Sequence, residues 1–167
     1  MQREVMSKDA VRTVIGIGGL AGRRGGTIVT HALGSCLGLC AIDRTAHVGA
    51  MIHSQLPVSA KNPQRAAENP ALFTDLALGL VLAEAEREGA DRRRLRLCLA
   101  GGANVNAVCN DLFNIAKQNL TVMRKVLWQA SMLLDAEDTG GTAPRTVFMN
   151  LDTGVITIES AGKRTQL

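Results

Sequence analysis

The chain has 167 residues, 46% of them hydrophobic, and a formal net charge of +4, which predicts one domain over residues 1–167 with a sizeable core. It has no apolar run long enough for a membrane span and no secretory signal pattern at its N-terminus, so we expect a cytoplasmic protein without membrane insertion. Nucleic-acid binding is not expected, because the charge is mild and the chain has no Tyr, one Trp and three Phe as stacking platforms.

The first third of the chain is predicted to be mostly β-structure. Residues 11–17 are rich in β-branched side chains and indicate a strand. The glycine-rich residues 18–26 predict a flexible loop whose two arginines are solvated or contact a partner. This loop partly matches a dinucleotide-binding fingerprint, but the acidic residue and the immediate helix of that motif are missing. Three further strands are predicted at residues 27–30, 36–42 and 47–53, with a polar turn at 43–46. The segment 36–42 is apolar on both faces, as in an interior strand.

The remainder of the chain predicts helices that alternate with strands. Residues 71–88 carry apolar side chains at helical spacing, residues 95–99 alternate as in a strand, and residues 111–134 indicate one or two helices. Two β-rich runs around a glycine-bearing turn predict a hairpin over 146–151 and 155–158. We expect residues 1–9 and the polar tail 160–167 to be frayed. This order predicts an α+β domain with a mixed sheet.

The two strands around the turn at residues 43–46 bring Cys36 and His53 together. If the turn centres between Arg44 and Thr45, Cys36 and His53 are equally distant from it and face each other. Directly opposed residues of antiparallel strands have Cβ atoms roughly 4.5–5.5 Å apart on the same face. A loop longer by a residue or two would move His53 off this pairing, and an odd shift would turn it to the other face.

A cysteine beside a histidine is a known way to make a nucleophile. A neighbouring imidazolium lowers the pKa of the thiol and supplies reactive thiolate, which we expect for Cys36. The turn before Cys36 offers backbone N–H groups that can face a developing oxyanion. The Thr30 hydroxyl is positioned to accept a hydrogen bond from one ring nitrogen of His53, which would fix the tautomer.

The other cysteines and histidines have simpler interpretations. Cysteine is among the most buried residue types, and we assign Cys40, Cys98 and Cys109 to packing. His31 and His47 are interpreted as ordinary surface or strand-edge residues. A metal site would draw on His31, Cys36, Cys40 and His53. The spacing of its cysteines is unlike that of zinc sites, so no metal is expected.

An ordered set of motifs resembles the chemoreceptor glutamine deamidase family (CheD) of bacterial chemotaxis. Residues 30–36, Thr-His-Ala-Leu-Gly-Ser-Cys, resemble the nucleophile segment of the family, and residues 53–57 resemble its His-x-x-Leu-Pro segment. Further matches follow in family order: Phe73, Asp75, Gly89-Ala90, Gly101-Gly102-Ala103, Asn119, Gly140-Gly141, Arg145 and Thr153-Gly154. Phe73, Ala116 and Gln55 depart from the residues usual in the family, which are Tyr, Gly and Met.

The resemblance implies a fold, a reaction and partners. The implied fold is a mixed β-sandwich with flanking helices, the cysteine-hydrolase architecture of CheD and toxin deamidases. The implied reaction converts receptor glutamines to glutamate with release of ammonia, with Cys36 as nucleophile, His53 as general base and acid, and Thr30 as orienting residue. No cofactor is implied. The implied partners are the cytoplasmic helices of chemoreceptors and a CheC-type phosphatase.

Two alternatives stay open at this point. In the first, the same chemistry acts on another acceptor, as in a different cysteine amidase, a transglutaminase or a toxin-like deamidase. In the second, the chain is a non-catalytic binding module that docks on receptors or on the phosphatase, and Cys36 is only structural. Loss of activity with nearly unchanged thermal stability in a Cys36→Ala variant would separate the enzyme from the module.

Overall fold

Two five-stranded β-sheets pack face to face, and helices cover the other side of one of them. A computed structural model of the chain describes residues 11–106 and 114–167. The strands of these described parts are β1 (Arg12–Ile15), β2 (Leu20–Arg24), β3 (Thr27–Leu33), β4 (Leu37–Asp43), β5 (Val48–Ser54), β6 (Arg96–Gly101), β7 (Ala136–Thr139), β8 (Arg145–Asn150), β9 (Val155–Ser160) and β10 (Lys163–Gln166). The helices are α1 (Pro63–Glu68), α2 (Thr74–Arg87) and α3 (Ile115–Gln129).

Each sheet combines parallel and antiparallel pairs. The first sheet has the order β1-β3-β8-β9-β10 and the second has the order β2-β5-β4-β6-β7. The β1–β3 and β6–β7 pairs are parallel, and the remaining neighbours are antiparallel. The predicted α+β class and mixed-sheet sandwich are therefore confirmed.

Strand β4 lies at the centre of the second sheet, and every one of its residues is buried. Leu37 and Leu39 belong to the apolar cluster shared with α2 and α3, whereas Cys40 and Ile42 belong to the cluster between the sheets. Neither face of this strand therefore meets solvent, which explains why its sequence shows no polar alternation. The site described below lies at the N-terminal end of this strand.

The predicted loop over residues 18–26 is wrong, because Leu20–Arg24 forms β2 and pairs with β5. The Gly22 N–H donates to Glu84 Oε1 of α2 at 3.1 Å, so the glycine serves close packing against the helix. Arg23 donates to the Gly25 carbonyl and the Thr13 hydroxyl, and Arg24 donates to the Ala46 carbonyl. These arginines are used within the chain.

The C-terminal tail is not frayed as expected, because β10 pairs with β9 in an antiparallel hairpin. The prediction failed because the strand is polar and exposed at the sheet edge, where burial leaves no pattern in the sequence. Edge strand β7 and the short helix α1 were also not predicted. Residues 1–9, the other segment expected to fray, lie outside the described residues.

The remaining predicted elements are present with shifted ends. Helix α2 begins at Thr74, three residues later than predicted, after a short 3₁₀ turn at Pro70–Leu72. Residues 115–129 of the predicted 111–134 segment form one helix, and residues 111–113 lie outside the described part. The predicted hairpin is confirmed as β8 and β9. None of the described helices has the length and apolar character required to cross a membrane.

The turn between β4 and β5 is held by a buried carboxylate, Asp43. Asp43 accepts hydrogen bonds from the N–H groups of Thr45, Ala46 and Asp91 and an ion pair from Arg94 at 2.8 Å. Burial acts to raise the pKa of Asp43, but the Arg94 guanidinium and these N–H donors outweigh it and lower the pKa to about 2. The polar groups at this end of β4 are therefore well satisfied.

The three arginines that follow Asp91 are each paired within the chain. Arg92 binds Glu86, Arg93 binds Asp91, and Arg94 bridges Asp43 and Asp91. Surface pairs of this kind contribute little to stability individually. They do compensate much of the positive charge that the sequence concentrates here.

Candidate active site

Three structural elements bring Thr30, Cys36 and His53 to one end of the sandwich. Thr30 lies on β3 of the first sheet and His53 on β5 of the second, and Cys36 lies on the link that carries the chain from β3 to β4. Thr30 is fully buried, His53 is 2% exposed and Cys36 is 7% exposed. The candidate site therefore spans the contact between the two sheets.

The predicted register between the strands of Cys36 and His53 is wrong by two residues. His53 pairs with Gly38, and the loop between β4 and β5 has four residues, 44–47, because Asp43 pairs with Val48. A shift of two preserves the face of every side chain, so Cys36 stays on the side of His53 as its diagonal neighbour. The structure thus brings both residues to the space between the sheets, without direct pairing.

Glycine at position 38 leaves room directly opposite His53. A Cβ at Gly38 would lie 2.9 Å from Leu33 Cδ1 and 3.7 Å from Thr30 Cγ2, so this position points towards β3. Thr30, Gly38 and His53 therefore share one interior region, and no side chain from position 38 occupies it.

A β-bulge precedes the link that carries Cys36. Thr30 pairs with Val147 and Leu33 pairs with Arg145, so β3 has one residue more than β8 between these pairs. Ala32 in the bulge has a φ of 56°, a left-handed conformation that is uncommon for residues other than glycine. The bulge exposes His31 and Ala32 and returns Leu33 to the core, which re-aims the link that follows.

Backbone hydrogen bonds hold the link on the side of β6. The Gly102 N–H donates to the Cys36 carbonyl at 2.9 Å, and the Ala103 N–H donates to the Gly34 carbonyl at 2.8 Å. Gly101 has a φ of 108°, and a Cβ there would lie 2.2 Å from the Cys36 carbonyl oxygen. Glycine at 101 is therefore required for this close approach, which fixes the main chain at Cys36.

The Thr30 hydroxyl fixes the tautomer of His53. Thr30 Oγ1 lies 2.8 Å from His53 Nδ1 and donates its proton to the Ile15 carbonyl at 2.9 Å. Because a hydroxyl has one proton, the contact with the ring must be an Nδ1–H that donates to Thr30. In the neutral ring Nε2 then carries the lone pair, and this buried atom has no hydrogen-bond partner among the described residues.

Burial determines the charge state of both reactive groups. It lowers the pKa of His53 from 6.5 to about 4, and it raises the pKa of the Cys36 thiol, an effect partly offset by the Cys36 backbone N–H. The expected low thiol pKa is therefore wrong for this structure, since the neighbouring imidazole is itself neutral near pH 7. The resting pair is a thiol and a neutral imidazole whose Nε2 carries a free lone pair.

The turn before Cys36 was expected to supply backbone N–H donors to an oxyanion, and the structure shows the role of two of its N–H groups. The Gly34 N–H is used within the turn, where it donates to the Ala32 carbonyl at 2.9 Å. The Cys36 backbone N–H acts to lower the pKa of the thiol, against the larger effect of burial. A backbone donor beside the sulfur is suitably located to stabilise negative charge on a group that the sulfur attacks.

The remaining cysteines and histidines lie apart from this arrangement. Cys40 and Cys98 are each 1% exposed and face each other across β4 and β6, as packing residues do. Cys109 lies outside the described residues. The His31 ring packs edge-on against Phe148, and His47 Nδ1 lies 3.1 Å from the Leu151 carbonyl. In residues 11–106 and 114–167 no three His, Cys, Asp or Glu side chains are grouped to hold a metal ion.

The three positions that depart from the family pattern lie outside the group formed by Thr30, Cys36 and His53. Phe73 is buried and caps α2, where it forms an isolated bridge with Leu56. Ala116 is buried in the first turn of α3. Gln55 follows β5 and is partly exposed. The side-chain hydrogen bonds of Thr30 and His53 in the described residues involve none of these three positions.

One part of the site, the Ile15 carbonyl, was not anticipated from the sequence. This main-chain oxygen accepts the Thr30 proton and thereby decides which ring nitrogen of His53 is free. Every residue has a carbonyl, so no side-chain motif announces this role. The pairing of the first predicted strand with residues 27–30 was the only available signal.

Comparison with known proteins identifies the family. Residues 55–160 match the family described as CheD chemotactic sensory transduction. The probable chemoreceptor glutamine deamidase CheD of Solibacter usitatus is 39% identical over 140 residues, covering 84% of this chain and 82% of that protein. The probable chemoreceptor glutamine deamidase CheD 2 of Anaeromyxobacter dehalogenans is 39% identical over 148 residues, covering 87% of this chain and 92% of that protein.

A further relative covers nearly the whole length. The chemoreceptor glutamine deamidase CheD of Thermotoga maritima is 36% identical over 158 residues, which is 94% of this chain and 97% of that protein. The similarity to this relative therefore also covers part of the chain before residue 55, where the family match begins. The sequence motifs, the sandwich and these relatives agree: this chain belongs to the CheD family.

Proposed function

We propose that the chain is a protein-glutamine deamidase that converts glutamine side chains of chemoreceptors to glutamate and releases ammonia. One observation carries the proposal: His53 is held by Thr30 through Nδ1, while its buried Nε2 has no partner in residues 11–106 and 114–167. An unsatisfied buried polar atom costs about 1–3 kcal/mol. A histidine that served packing alone would not be expected to retain that cost, whereas a general base requires a free lone pair.

The first half of the reaction uses the neutral pair. His53 Nε2 takes the Cys36 proton as the sulfur attacks the carbon of the glutamine carboxamide, so the carbon–sulfur bond forms as the carbonyl oxygen becomes negative. The Cys36 N–H is suited to stabilise this oxygen. The protonated His53 then gives its proton to the departing nitrogen, which leaves as ammonia and produces a thioester.

The second half restores the enzyme. His53, neutral again, takes a proton from water as the water oxygen attacks the thioester carbon, and the carbon–sulfur bond breaks. The sulfur regains its proton from His53, and the product is glutamate. Thr30 keeps Nδ1 protonated throughout, so the same nitrogen acts as base and then as acid. These steps use side chains of the chain and water.

The proposal extends to location and partners. We place the reaction in the cytoplasm, where the signalling helices of chemoreceptors lie, and we expect a CheC-type phosphatase to bind this protein as a regulator. The paired arginines after Asp91 and those on β2 lend this expectation no support, since their charges are used within the chain. Size-exclusion chromatography of this protein alone and after co-purification with the phosphatase tests the association.

Deamidation of a receptor cytoplasmic fragment tests the main proposal. Wild type, Cys36→Ala and His53→Ala are incubated with the fragment, and Gln-to-Glu conversion is located by peptide mass. We expect conversion by wild type only. Conversion confined to proteins unrelated to receptors would overturn the receptor assignment and retain the chemistry.

One observation favours the non-catalytic alternative. Cys36 is only 7% exposed and burial raises the pKa of its thiol, as in a packing cysteine. A binding module would predict receptor association without conversion, and a large stability loss in Cys36→Ala. Equal receptor affinity of wild type and Cys36→Ala, together with no conversion by either, would establish that alternative.

A further inference from the structure

A single buried side chain on α3, Asn119, bridges the two segments that carry Cys36 and His53. Asn119 Nδ2 donates to the Ser35 carbonyl at 3.0 Å and to the Gln55 carbonyl at 2.9 Å. Ser35 immediately precedes Cys36, and Gln55 follows His53 by two residues. Asn119 is fully buried, so water does not compete for these contacts.

The amide group sets the separation of these two segments. Both hydrogens of the planar NH₂ group are in use, one for each carbonyl, and their directions are fixed by the geometry of the amide. Ser35 lies outside the strands, so its carbonyl lacks a ladder partner of the kind that strand residues have. The link with Cys36 and the end of β5 with His53 are therefore positioned relative to the same rigid group.

A second set of hydrogen bonds fixes the orientation of the amide itself. Thr74 Oγ1 donates to Asn119 Oδ1 at 3.0 Å, and Ser54 Oγ lies 3.0 Å from Thr74 Oγ1. Because the Thr74 proton is used on Asn119, Ser54 is the donor in the second contact. Ser54 is the residue directly after His53, and all three side chains are buried. The amide cannot exchange its oxygen and nitrogen without losing these bonds.

We propose that Asn119 is a positioning residue that holds the Cys36 link and the His53 strand at the separation needed for proton transfer. The inference rests on the proposed function for its effect on turnover, but not for its effect on thiol reactivity. Asn119 does not touch the reacting atoms and acts through the backbone at Ser35 and Gln55. A purely structural Asn119 would stabilise the fold and leave the reactivity of Cys36 unchanged.

The test compares Asn119→Leu with Met123→Ala. Met123 lies one turn later on α3, is fully buried and packs in the apolar cluster with the helices, so its truncation supplies a loss of stability without removing a side-chain hydrogen bond to the Ser35 or Gln55 carbonyl. Alkylation of Cys36 by iodoacetamide is followed by peptide mass across pH at a temperature where both variants are folded by circular dichroism. Receptor deamidation is measured on the same samples as kcat and KM.

We expect Asn119→Leu to change the alkylation rate and shift its pH profile, and to lower kcat by about 10–100-fold with little change in KM. Met123→Ala should keep the wild-type profile and kcat per folded molecule. A wild-type profile and kcat in Asn119→Leu would overturn the proposal and leave Asn119 a structural residue.

Two further outcomes are informative. If Asn119→Leu does not fold, Thr74→Val removes only the donor to Asn119 Oδ1 and should shift the alkylation profile in the same direction by a smaller amount. No shift in Thr74→Val would then overturn the proposal. If wild type deamidates no receptor but the Asn119→Leu profile still shifts, the positioning role stands and the proposed function fails.

Discussion

The two ends of strand β4 contain buried polar groups in opposite conditions. At one end, Asp43 accepts three backbone N–H bonds and pairs with Arg94, so its charge is well compensated. At the other end, His53 on the neighbouring strand pairs with Gly38, and it has one ring nitrogen bonded to Thr30 and the other without a partner in the part of the chain that the structure describes. A buried structural group requires that all its hydrogen bonds be made, whereas a general base needs a lone pair that is free to accept a proton. The difference supports the proposal that the chemistry takes place at the Cys36 end.

The largest effect on activity is expected from Cys36→Ala, with Cys40→Ala as its matched control. Cys36→Ala should reduce deamidation to background because the nucleophile is gone, while Cys40→Ala, four residues on in the same inter-sheet cluster, should retain it. Both should lower the free energy of unfolding by about 1 kcal/mol. Mass-resolved deamidation and urea unfolding measure the two quantities. Equal activity of the two variants would contradict the assignment of the nucleophile.

His53→Gln should lower kcat by about 10²–10⁴-fold, since general acid–base catalysis is lost. Glutamine keeps a polar side chain of similar length, which limits the change in packing. Steady-state kinetics of deamidation at neutral pH measure this decrease in kcat. A variant that retains wild-type kcat would show that the free nitrogen of His53 takes no part in proton transfer.

The pH dependence of stability provides a separate test of the same ring. Burial lowers the pKa of His53 to about 4 from 6.5, so the unfolded chain takes up a proton in this interval and the folded chain does not. The free energy of unfolding should therefore fall as pH decreases from about 6.5 to about 4, and this fall should be weaker in His53→Gln. Urea unfolding across that range measures it. Identical slopes for the two proteins would contradict the buried neutral imidazole.

Thr30→Val should have a smaller effect on activity than loss of His53, with Thr30→Ser as the control. Valine has the shape of threonine but leaves His53 Nδ1 and the Ile15 carbonyl unpaired, which costs about 1–3 kcal/mol and removes the preference for one tautomer. We expect a decrease in kcat of about 10–100-fold. Serine should restore most of the activity, and the lack of any difference between the two variants would contradict the orienting role.

Asp43→Asn should have the least effect on turnover and a large effect on stability. It replaces a buried carboxylate oxygen that accepts from the Asp91 N–H and from Arg94 by an amide group, so we expect the free energy of unfolding to fall by about 1–3 kcal/mol. Activity per folded molecule at low temperature should match wild type, because the substitution lies at the far end of β4 from Cys36. A fall in kcat without unfolding would show that the two ends are coupled.

Most elements with a strong side-chain pattern were predictable, and elements that depend on pairing were not. The apolar run of β4, the hairpin of β8 and β9 and the amphipathic α2 are encoded locally. Strands β2, β7 and β10 lie at or near sheet edges and are polar, short or glycine-containing, so their conformation depends on the neighbour that they pair with. The register of β4 with β5 was missed for a related reason, since the turn lies at 44–47 instead of 43–46 and its position depends on the hydrogen bonds of Asp43.

The candidate site divides in the same way. The residue types Thr30, Cys36 and His53 and the contact between Thr30 and His53 follow from motif and spacing, and their catalytic roles stay predictions. The burial of Cys36, with the raised pKa of its thiol, depends on how closely the two sheets pack. The roles of the Ile15 carbonyl and of Asn119 depend on tertiary contacts that no single segment encodes.

The hydrogen bond between Thr30 and His53 joins the two sheets of the sandwich. Each sheet has its own ladder and keeps its shape, so slight separation of the layers would release the imidazole ring before either ladder opens. On gradual heating, the capacity to process glutamine should therefore decline at a lower temperature than the far-ultraviolet circular dichroism signal. We therefore expect the contact between the two sheets, rather than the sheets themselves, to limit the temperature range in which the protein is active.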